Sequence, residues 1–395
     1  MSTPTDIKRR LEQNWIELIK SNSGKLGFDS LQGSSPPSVF VGHFGYPKIS
    51  IGPMIPRMYG DTTILDKTEL WAGKSIEEIA NYRLSLIRGK FTMNVHYISG
   101  KHIENLQDLV MSARPVDSEA TFERRPLADT ELQKERKLNI EAAPFGLSAP
   151  LKTFKTSSLS ADHRIESAYY DNDLRAHDAI IQMYIQGVPI STINKVLSMG
   201  MLGQKKGRKL VPTMWSITIT DDVISSRLIK ANEINPTIDV FEVTQYSHLG
   251  NYYSIILIPE DIWSFEMIES WFTNSGQIAT GVDYEDTRGL DHYPTIAGAY
   301  FAARLSIAEH LGQRKRKAAA LVLREIHPEY VIPLGVWQIR EGVREALKKP
   351  PQRLETFDSA LTFASANLSI SKHEIERKSK LWKICRSQTR ITDFA

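Results

Sequence analysis

Two basic and two acidic residues bracket one segment of the chain and are the best candidates for chemistry. Arg208 and Lys209 precede the segment Trp215-Ser-Ile-Thr-Ile-Thr220, and Asp221 and Asp222 follow it. The alternation of apolar and polar residues predicts a half-buried strand. Such a strand, at roughly 3.3 Å per residue, would hold the two pairs about 30 Å apart. They would therefore form two sites, or one site completed by other segments.

The two aspartates have two interpretations. Carboxylates at the end of a strand are suitable ligands for Mg²⁺, so Asp221 and Asp222 are a candidate metal site. An aspartate just before a helix that begins near Val223 would also serve as its N-cap. The sequence leaves both open.

Phosphate or nucleotide binding has three sets of candidate residues. The first is Arg208 with Lys209, because basic side chains hold phosphate. The second is Gly33, Ser34 and Ser35, whose backbone amides can hold an anion, although the same residues fit a plain turn before proline. The third is Arg304, which lies with Tyr300 on a predicted apolar helix and must pair with an internal carboxylate or an anionic ligand.

Two basic runs are candidates for contact with nucleic acid. They are residues 205–209 and residues 314–317. The net charge of +3 is too small for a globally basic nucleic-acid binder, so any DNA contact must come from such local patches. Solvated loops or helix faces are the alternative interpretation of both runs.

The end of the sequence carries a spaced peptide pattern. Gln388, Ile391 and Phe394 are three residues apart in turn, the spacing that aligns side chains on one face of a 3₁₀ turn. The pattern resembles the sliding-clamp docking motif of replication and repair proteins, which predicts the clamp (PCNA) as a partner. Ala395 occupies the place of the motif's second aromatic residue, at a cost of about 1.5–3 kcal/mol if that group would be buried.

Composition excludes several classes of protein. No apolar stretch reaches the roughly 18 residues that cross a bilayer, and Met1 to Arg10 is polar, so we expect a cytoplasmic protein without a membrane partner. The single cysteine, Cys385, excludes a multi-cysteine zinc site.

The predicted elements indicate an α+β fold, with a mixed sheet and flanking helices in a large N-terminal domain and a smaller, mainly helical C-terminal domain. Ser75 and Glu78 form a capping box, and His248 to Asn251 fits a hairpin turn between two strands. Helices are predicted for Glu260–Phe272 and within 295–326. The predicted divisions are a helix in 1–27, domains at 28–276 and 285–380, and a docking tail at 387–395.

Several sequence blocks together resemble the archaeal Nre family. They are Gly33-Ser-Ser-Pro-Pro-Ser-Val-Phe-Val-Gly42, Arg208-Lys-Leu-Val-Pro-Thr-Met-Trp-Ser-Ile-Thr218, Tyr300-Phe-Ala-Ala-Arg304 and Pro333-Leu-Gly-Val-Trp-Gln-Ile-Arg-Glu341. The similarity extends from about residue 28 to the tail. It implies that 28–276 and 285–380 are the family's two domains, and that the chain is a DNA-repair protein with a C-terminal clamp-docking motif.

Two departures from the family pattern concern metal and phosphate. Many members open with a cysteine cluster that resembles a zinc finger, which this sequence lacks, so we expect no zinc. His43 and Met214 stand where the pattern has arginine, which weakens any role of these positions in phosphate binding.

The sequence therefore predicts a DNA-damage repair factor recruited to DNA by its tail, with DNA and other repair proteins as further partners. The alternative is an enzyme of nucleic-acid metabolism that binds a nucleotide or hydrolyses phosphate esters, using Mg²⁺ at Asp221 and Asp222. The sequence has no phosphate-binding P-loop, nucleophile elbow or His-Glu-x-x-His motif. Whether the protein is an enzyme is left open, and no cofactor is certain.

Overall fold

The computed structural model describes residues 13–18, 29–126, 146–273 and 276–387. These residues divide into two compact units. The N-terminal unit comprises the described residues up to Ile224 together with 332–337. The C-terminal unit comprises the other described residues, 225–331 and 338–387.

A six-stranded mixed sheet forms the centre of the N-terminal unit. Its strands lie in the order β1-β5-β6-β4-β3-β2, in which only the pair β4 and β6 is parallel. The strands are β1 (Ser30–Ser35), β2 (Val39–Val41), β3 (Lys48–Pro56), β4 (Leu86–Asn94), β5 (Val116–Phe122) and β6 (Ser148–Thr156).

Residues 13–18 of this unit are helical, and six longer helices follow within the described residues. They are α1 (Ile76–Leu84), α2 (Lys101–Met111), α3 (His163–Tyr170), α4 (Ala176–Ile185), α5 (Ile190–Ser198) and α6 (Thr213–Asn232), and the division between the units falls inside α6. The capping box at the start of α1 is confirmed, because Glu78 N–H donates to Ser75 Oγ and Ser75 N–H donates back to the Glu78 carboxylate.

The C-terminal unit contains a second mixed sheet, in the order β10-β9-β11-β8-β7-β12, in which β9 and β11 are parallel. Its strands are β7 (Phe241–His248), β8 (Asn251–Ile258), β9 (Phe265–Phe272), β10 (Ile278–Glu285), β11 (Ala319–Ile326) and β12 (Gln352–Leu354). Its helices after α6 are α7 (Ala297–Arg314), α8 (Trp337–Leu347), α9 (Phe357–Ser365), α10 (Lys372–Lys378) and α11 (Lys380–Ser387). Phe241, Phe357 and Trp382 pack together in its core.

The predicted α+β class is confirmed, with mixed sheets and flanking helices. The hairpin is also confirmed, since β7 pairs with β8 and His248 lies opposite Asn251. None of the helices in the described ranges is long and apolar enough to cross a membrane.

The predicted strand at Trp215–Thr220 is wrong, because these residues lie in α6. Burial follows the helical repeat: Ser216, Ile217 and Thr220 are buried, whereas Trp215 and Ile219 are exposed. Hydroxyls support this helix from within, since Ser216 Oγ donates to the Thr213 carbonyl and Thr218 Oγ1 donates to the Met214 carbonyl.

The predicted helix over Glu260–Phe272 is also wrong, because Phe265–Phe272 is strand β9. The acidic residues of this strand are buried and bonded. Glu266 accepts hydrogen bonds from the backbone N–H groups of Lys380 and Leu381, and Glu269 pairs with Arg324. The helix predicted over 295–326 is confirmed only for Ala297–Arg314, and it is wrong for Ala319–Ile326, which is strand β11.

Candidate functional site

Three segments of the N-terminal unit lie side by side at one end of its sheet. The Val95 N–H donates to the Pro47 carbonyl at 2.9 Å, and the Leu210 N–H donates to the Val95 carbonyl at 2.8 Å. The Val41 N–H also donates to Thr213 Oγ1 at 3.0 Å. These bonds hold the turn before β3, the end of β4 and the start of α6 as neighbours.

Exposed aromatic side chains gather on these segments. The ring centroids of Tyr46 and Trp215 are 5.3 Å apart and the rings are tilted by 52°. Both rings remain accessible, at 44% and 41% exposure, and Phe44 and Tyr97 on the adjoining segments are 59% and 68% exposed. Leaving several aromatic rings in water forgoes the free energy of burial, and such a cluster typically marks a binding surface.

The turn before β3 holds its aromatic residues outward. The Tyr46 N–H donates to the His43 carbonyl, and the Lys48 N–H donates to the Gly45 carbonyl at 2.9 Å. Gly45 has a φ of 77°, and a Cβ there would lie 2.7 Å from the Lys48 carbonyl oxygen. Only glycine fits this tight reversal, which places Phe44 and Tyr46 on its outer side.

The first two turns of α6 contribute a second exposed apolar strip. Trp215 and Ile219 are four residues apart, so their side chains lie on the same helix face, and both are exposed. The neighbouring positions Ser216 and Ile217 are buried. This face extends the aromatic surface along the helix.

Exposed lysines lie close in the chain to the aromatic residues. Lys48 follows the turn directly, and Lys209 precedes Leu210, whose backbone bonds to Val95. Both lysines are exposed, as are Lys205 and Lys206 in the preceding loop. We name the set Phe44, Tyr46, Lys48, Tyr97, Lys205, Lys206, Lys209, Trp215 and Ile219 the aromatic–basic surface.

Arg208 differs from these lysines because the protein itself binds its guanidinium. Its Nε donates to the Gly203 carbonyl at 2.6 Å and its terminal nitrogen to the Asp171 carbonyl at 3.1 Å. The guanidinium also lies 5.3 Å from the centre of the Tyr169 ring. Partial burial lowers the pKa of Arg208 from its usual value, but an arginine stays charged. Its contacts show that Arg208 shapes the loop that presents the neighbouring lysines.

Such an arrangement can bind nucleic acid. Aromatic faces stack on bases, and exposed lysines neutralise phosphates. Neither contact depends strongly on the base sequence. His43 and Met214, the two positions that depart from the family pattern, lie in the same turn and in the first turn of α6.

The predicted phosphate site at Gly33, Ser34 and Ser35 is the end of strand β1. The Ser34 N–H donates to the Met58 carbonyl, Ser34 Oγ donates to Asp117, and Ser35 Oγ bonds to Ser118 Oγ. A Cβ at Gly33 would lie 2.3 Å from the Pro56 carbonyl oxygen. These groups are engaged in strand packing, so phosphate binding here remains a prediction that would require these contacts to break.

The predicted metal ligands Asp221 and Asp222 lie inside α6, neither at a strand end nor at an N-cap. Asp221 is fully buried. Within the described ranges, no group of three or more His, Cys, Asp or Glu side chains is arranged to hold a metal ion. Magnesium binding by these aspartates stays a prediction.

Arg304 has an internal carboxylate partner, one of the two alternatives that the sequence left open. Its Nε donates to Glu285 at 2.7 Å, and a terminal nitrogen donates to Ser225 Oγ at 2.6 Å. Both side chains of the ion pair are buried. This geometry explains how an arginine is accommodated on an apolar helix without any ligand.

The second basic run is partly neutralised within the C-terminal unit. Arg314 pairs with Glu242 at 2.5 Å, and Lys317 lies 3.4 Å from Asp261. The first run, which borders the aromatic surface, is therefore the stronger candidate for phosphate contact. The predicted docking residues Gln388, Ile391 and Phe394 lie outside the described residues.

Sequence reasoning missed Tyr46, Trp215 and Phe44. Trp215 was placed on a predicted strand, and large apolar residues are usually part of a core. Their exposure follows from tertiary structure. The Tyr46-Pro47 dipeptide within a glycine-containing turn was the one local signal that an aromatic side chain points outward.

Comparisons with known proteins cover nearly the whole chain. The family model described as "Archaeal Nre, N-terminal" matches residues 12–276, and the model described as "Archaeal Nre, C-terminal" matches residues 285–394. The chain is 36% identical over 363 residues to DNA repair protein NreB of Archaeoglobus fulgidus, covering 90% of each chain. It is 36% identical over 338 residues to DNA repair protein NreA of the same organism, covering 84% of this chain and 83% of the relative. It is 32% identical over 385 residues to DNA repair protein NreA of Haloferax volcanii, covering 93% of this chain and 89% of the relative.

Proposed function

The chain belongs to the archaeal Nre family, and we propose that it is a cytoplasmic DNA-repair factor that contacts DNA through the aromatic–basic surface of its N-terminal unit. The names of its relatives, which are DNA repair proteins, support the repair role. One observation carries the DNA contact: the rings of Tyr46 and Trp215 lie against each other and both remain exposed.

We further propose that the tail recruits the protein to DNA by docking on the sliding clamp (PCNA). Gln388 would hydrogen-bond in one pocket of the clamp, while Ile391 and Phe394 would fill an apolar groove. The spacing of these residues and the family resemblance support this assignment.

The two contacts would reinforce each other. A protein held on the clamp experiences a high effective concentration of the DNA that passes through it. Weak, sequence-tolerant contacts at the aromatic–basic surface then suffice for binding. The tail would determine where the protein acts, and the surface would determine how it holds DNA there.

Calorimetry of the full chain against its own sliding clamp tests the recruitment. We expect saturable binding by the wild-type protein and about a 10-fold or greater loss for Phe394→Ala, because one buried aromatic group contributes roughly 1.5–3 kcal/mol. Phe363→Ala, which changes an exposed phenylalanine in α9, is the matched control and should bind as the wild type does. Equal binding by all three proteins would remove the tail from the proposed function.

Titration of the full chain with labelled DNA at two salt concentrations tests the DNA contact. Phosphate contacts predict an affinity that falls steeply as salt increases. A protein that binds the clamp but binds no DNA at low salt would instead be an adaptor.

A further inference from the structure

We infer that the Tyr46–Trp215 pair takes unpaired DNA bases, so that the aromatic–basic surface prefers single-stranded DNA to duplex. The inference rests on the proposed function and names the form of DNA that this surface recognises. It follows from the geometry of the two rings, from the residues that accompany them on α6 and from the positions of the lysines.

The two rings already contact each other, so a base stacks on them from outside. Their centroids are 5.3 Å apart. A base inserted between two parallel rings would need about 7 Å, twice the 3.4 Å spacing of stacked bases. The rings are tilted by 52°, so they do not form a parallel stack. With 44% of Tyr46 and 41% of Trp215 exposed, aromatic surface remains open to the solvent.

Only an unpaired or terminal base can use such a face. Inside a duplex, both faces of every base are covered by its neighbours, and exposing one face costs the stacking free energy. In a single strand the bases can turn outward and stack on aromatic side chains without that cost. The exposed rings thus match the chemistry of a flexible single strand.

The exposed positions at the start of α6 do not have the side chains that read a duplex. A helix in the major groove recognises bases with arginine, lysine, asparagine or glutamine at its exposed positions. The exposed positions in the first two turns of α6 are Trp215 and Ile219, both apolar. This face offers stacking and apolar contact in place of hydrogen bonds to base edges.

Two exposed lysines lie close in the chain to the aromatic residues. Lys48 is two residues after Tyr46, and Lys209 is on the segment that leads into α6. The Val95 N–H donates to the Pro47 carbonyl and the Leu210 N–H donates to the Val95 carbonyl, so each lysine follows or precedes a residue that bonds to Val95. A single strand whose base stacks on Trp215 would therefore have exposed cationic side chains available for its phosphates.

Tryptophan fluorescence offers a direct readout of stacking. Trp215 is exposed, Trp263 is partly buried, and the other tryptophans, which are Trp15, Trp71, Trp271, Trp337 and Trp382, are buried. Iodide should therefore quench mainly Trp215 in the full-length protein. Stacking of a base on Trp215 should quench the same emission and protect it from iodide.

The experiment compares the full chain with two variants, using an oligothymidine strand and a blunt hairpin duplex with the same number of phosphates at one salt concentration. For the wild type we expect at least 10-fold tighter binding to the single strand, accompanied by fluorescence quenching. Trp215→Ala should lower the affinity for the single strand by about 5- to 100-fold and leave the affinity for the duplex within about 2-fold. Trp215→Phe should retain most of the affinity but lose the quenching.

Tyr59→Ala is the matched control. Tyr59 is an exposed tyrosine of the same unit, but it follows the opposite end of β3 from Tyr46. At roughly 3.3 Å per residue, the strand separates the two positions by about 30 Å. Tyr59→Ala should bind both DNAs as the wild type does.

The outcomes separate the inference from the proposed function. Equal affinity for both DNAs, reduced equally by Trp215→Ala, would overturn the preference for unpaired bases and leave the DNA contact in place. A single-strand affinity that Trp215→Ala does not change would overturn the stacking role. Absence of binding to either DNA at low salt would overturn both the inference and the proposed DNA contact.

Discussion

The indole of Trp215 lies against the ring of Tyr46, with ring centroids 5.3 Å apart. Trp215 is at the start of helix α6, and Tyr46 is in the turn before strand β3, far from it in sequence. The protein contains other aromatic pairs, but those formed by Trp71 with Trp337 and by Phe241 with Phe357 are buried in its two units. The Tyr46–Trp215 pair is exposed, so it adds little to the packing of a core and leaves aromatic surface that can bind a ligand. This relationship is the basis of the DNA-binding account.

The lysines of the aromatic–basic surface should each contribute to the salt dependence of DNA binding. For a single strand, each phosphate contact adds about 0.7 to the slope of log affinity against log salt. Lys48→Ala and Lys209→Ala should each reduce the slope by that amount. Titrations at four or more salt concentrations measure it. Lys155→Ala is the control, because this exposed lysine lies on β6, opposite Glu119 of β5 and away from α6 in sequence. If neither Lys48→Ala nor Lys209→Ala changed the slope, the phosphates of the bound DNA would not contact these two lysines.

Arg304→Ala should destabilise the C-terminal unit strongly. It leaves the buried carboxylate of Glu285 without its ion-pair partner, and breaking a buried pair costs about 3–5 kcal/mol. Urea unfolding followed by circular dichroism measures the loss. Arg288→Ala serves as the comparison, because Arg288 pairs with Asp286 at the surface and should matter little. A variant as stable as the wild type would show that Arg304 does not support the fold.

His310 should make the C-terminal unit less stable in acid. Burial, together with the Arg314 guanidinium, lowers the pKa of His310 from 6.5 to about 4. The histidine is thus neutral in the folded protein and accepts a hydrogen bond from Arg314. Its folded pKa is below the unfolded value, so the unfolded chain takes up the proton first and stability falls as the pH drops from about 6.5 towards 4.

His310→Gln isolates this contribution from those of the carboxylates. The free energies of unfolding of the wild type and the variant, measured with urea, should converge as the pH falls from 7 to 4.5. The difference between them should shrink by an amount on the order of 1–3 kcal/mol. Two curves that stay parallel across this window would show that His310 does not titrate as described.

Gly33→Ala should test whether this residue packs the sheet or binds phosphate. The new Cβ would meet the Pro56 carbonyl at 2.3 Å, so the strands must separate, at a cost of about 1–3 kcal/mol. Thermal unfolding measures this, with Gly207→Ala as the control because no atom lies within 4 Å of a Cβ at that position. A stable variant that loses affinity for a nucleotide or phosphate would support the phosphate site predicted from the sequence.

Local signals in the sequence predicted the elements that they specify directly. The capping box of Ser75 and Glu78 and the hairpin at His248 to Asn251 depend on neighbouring residues alone, and both are confirmed. The pairing of Arg304 with a carboxylate was one of two alternatives, because an arginine on an apolar helix requires some counter-charge.

Tertiary contacts overrode the sequence pattern elsewhere. The β-branched residues Ile217 to Thr220 favour a strand, but they are helical because one face of α6 is buried and hydroxyls bond back to the helix. A helix was predicted over Glu260–Phe272, whereas Phe265–Phe272 is a strand in which Glu266 and Glu269 bond to residues distant in sequence. The basic run 205–209 was a candidate from the sequence, but the aromatic part of the surface could not be predicted, because the exposure of Tyr46 and Trp215 is set by three segments that meet only in the fold.

Photochemical crosslinking of the wild-type chain tests the central claim most directly. The protein is irradiated with a single strand that carries bromodeoxyuridine, and the attached peptides are identified by mass spectrometry. We predict crosslinks at Trp215 and Tyr46, in the peptides that also contain Lys209 and Lys48. Crosslinks confined to residues 314–317, or to any region without Tyr46 and Trp215, would contradict the account.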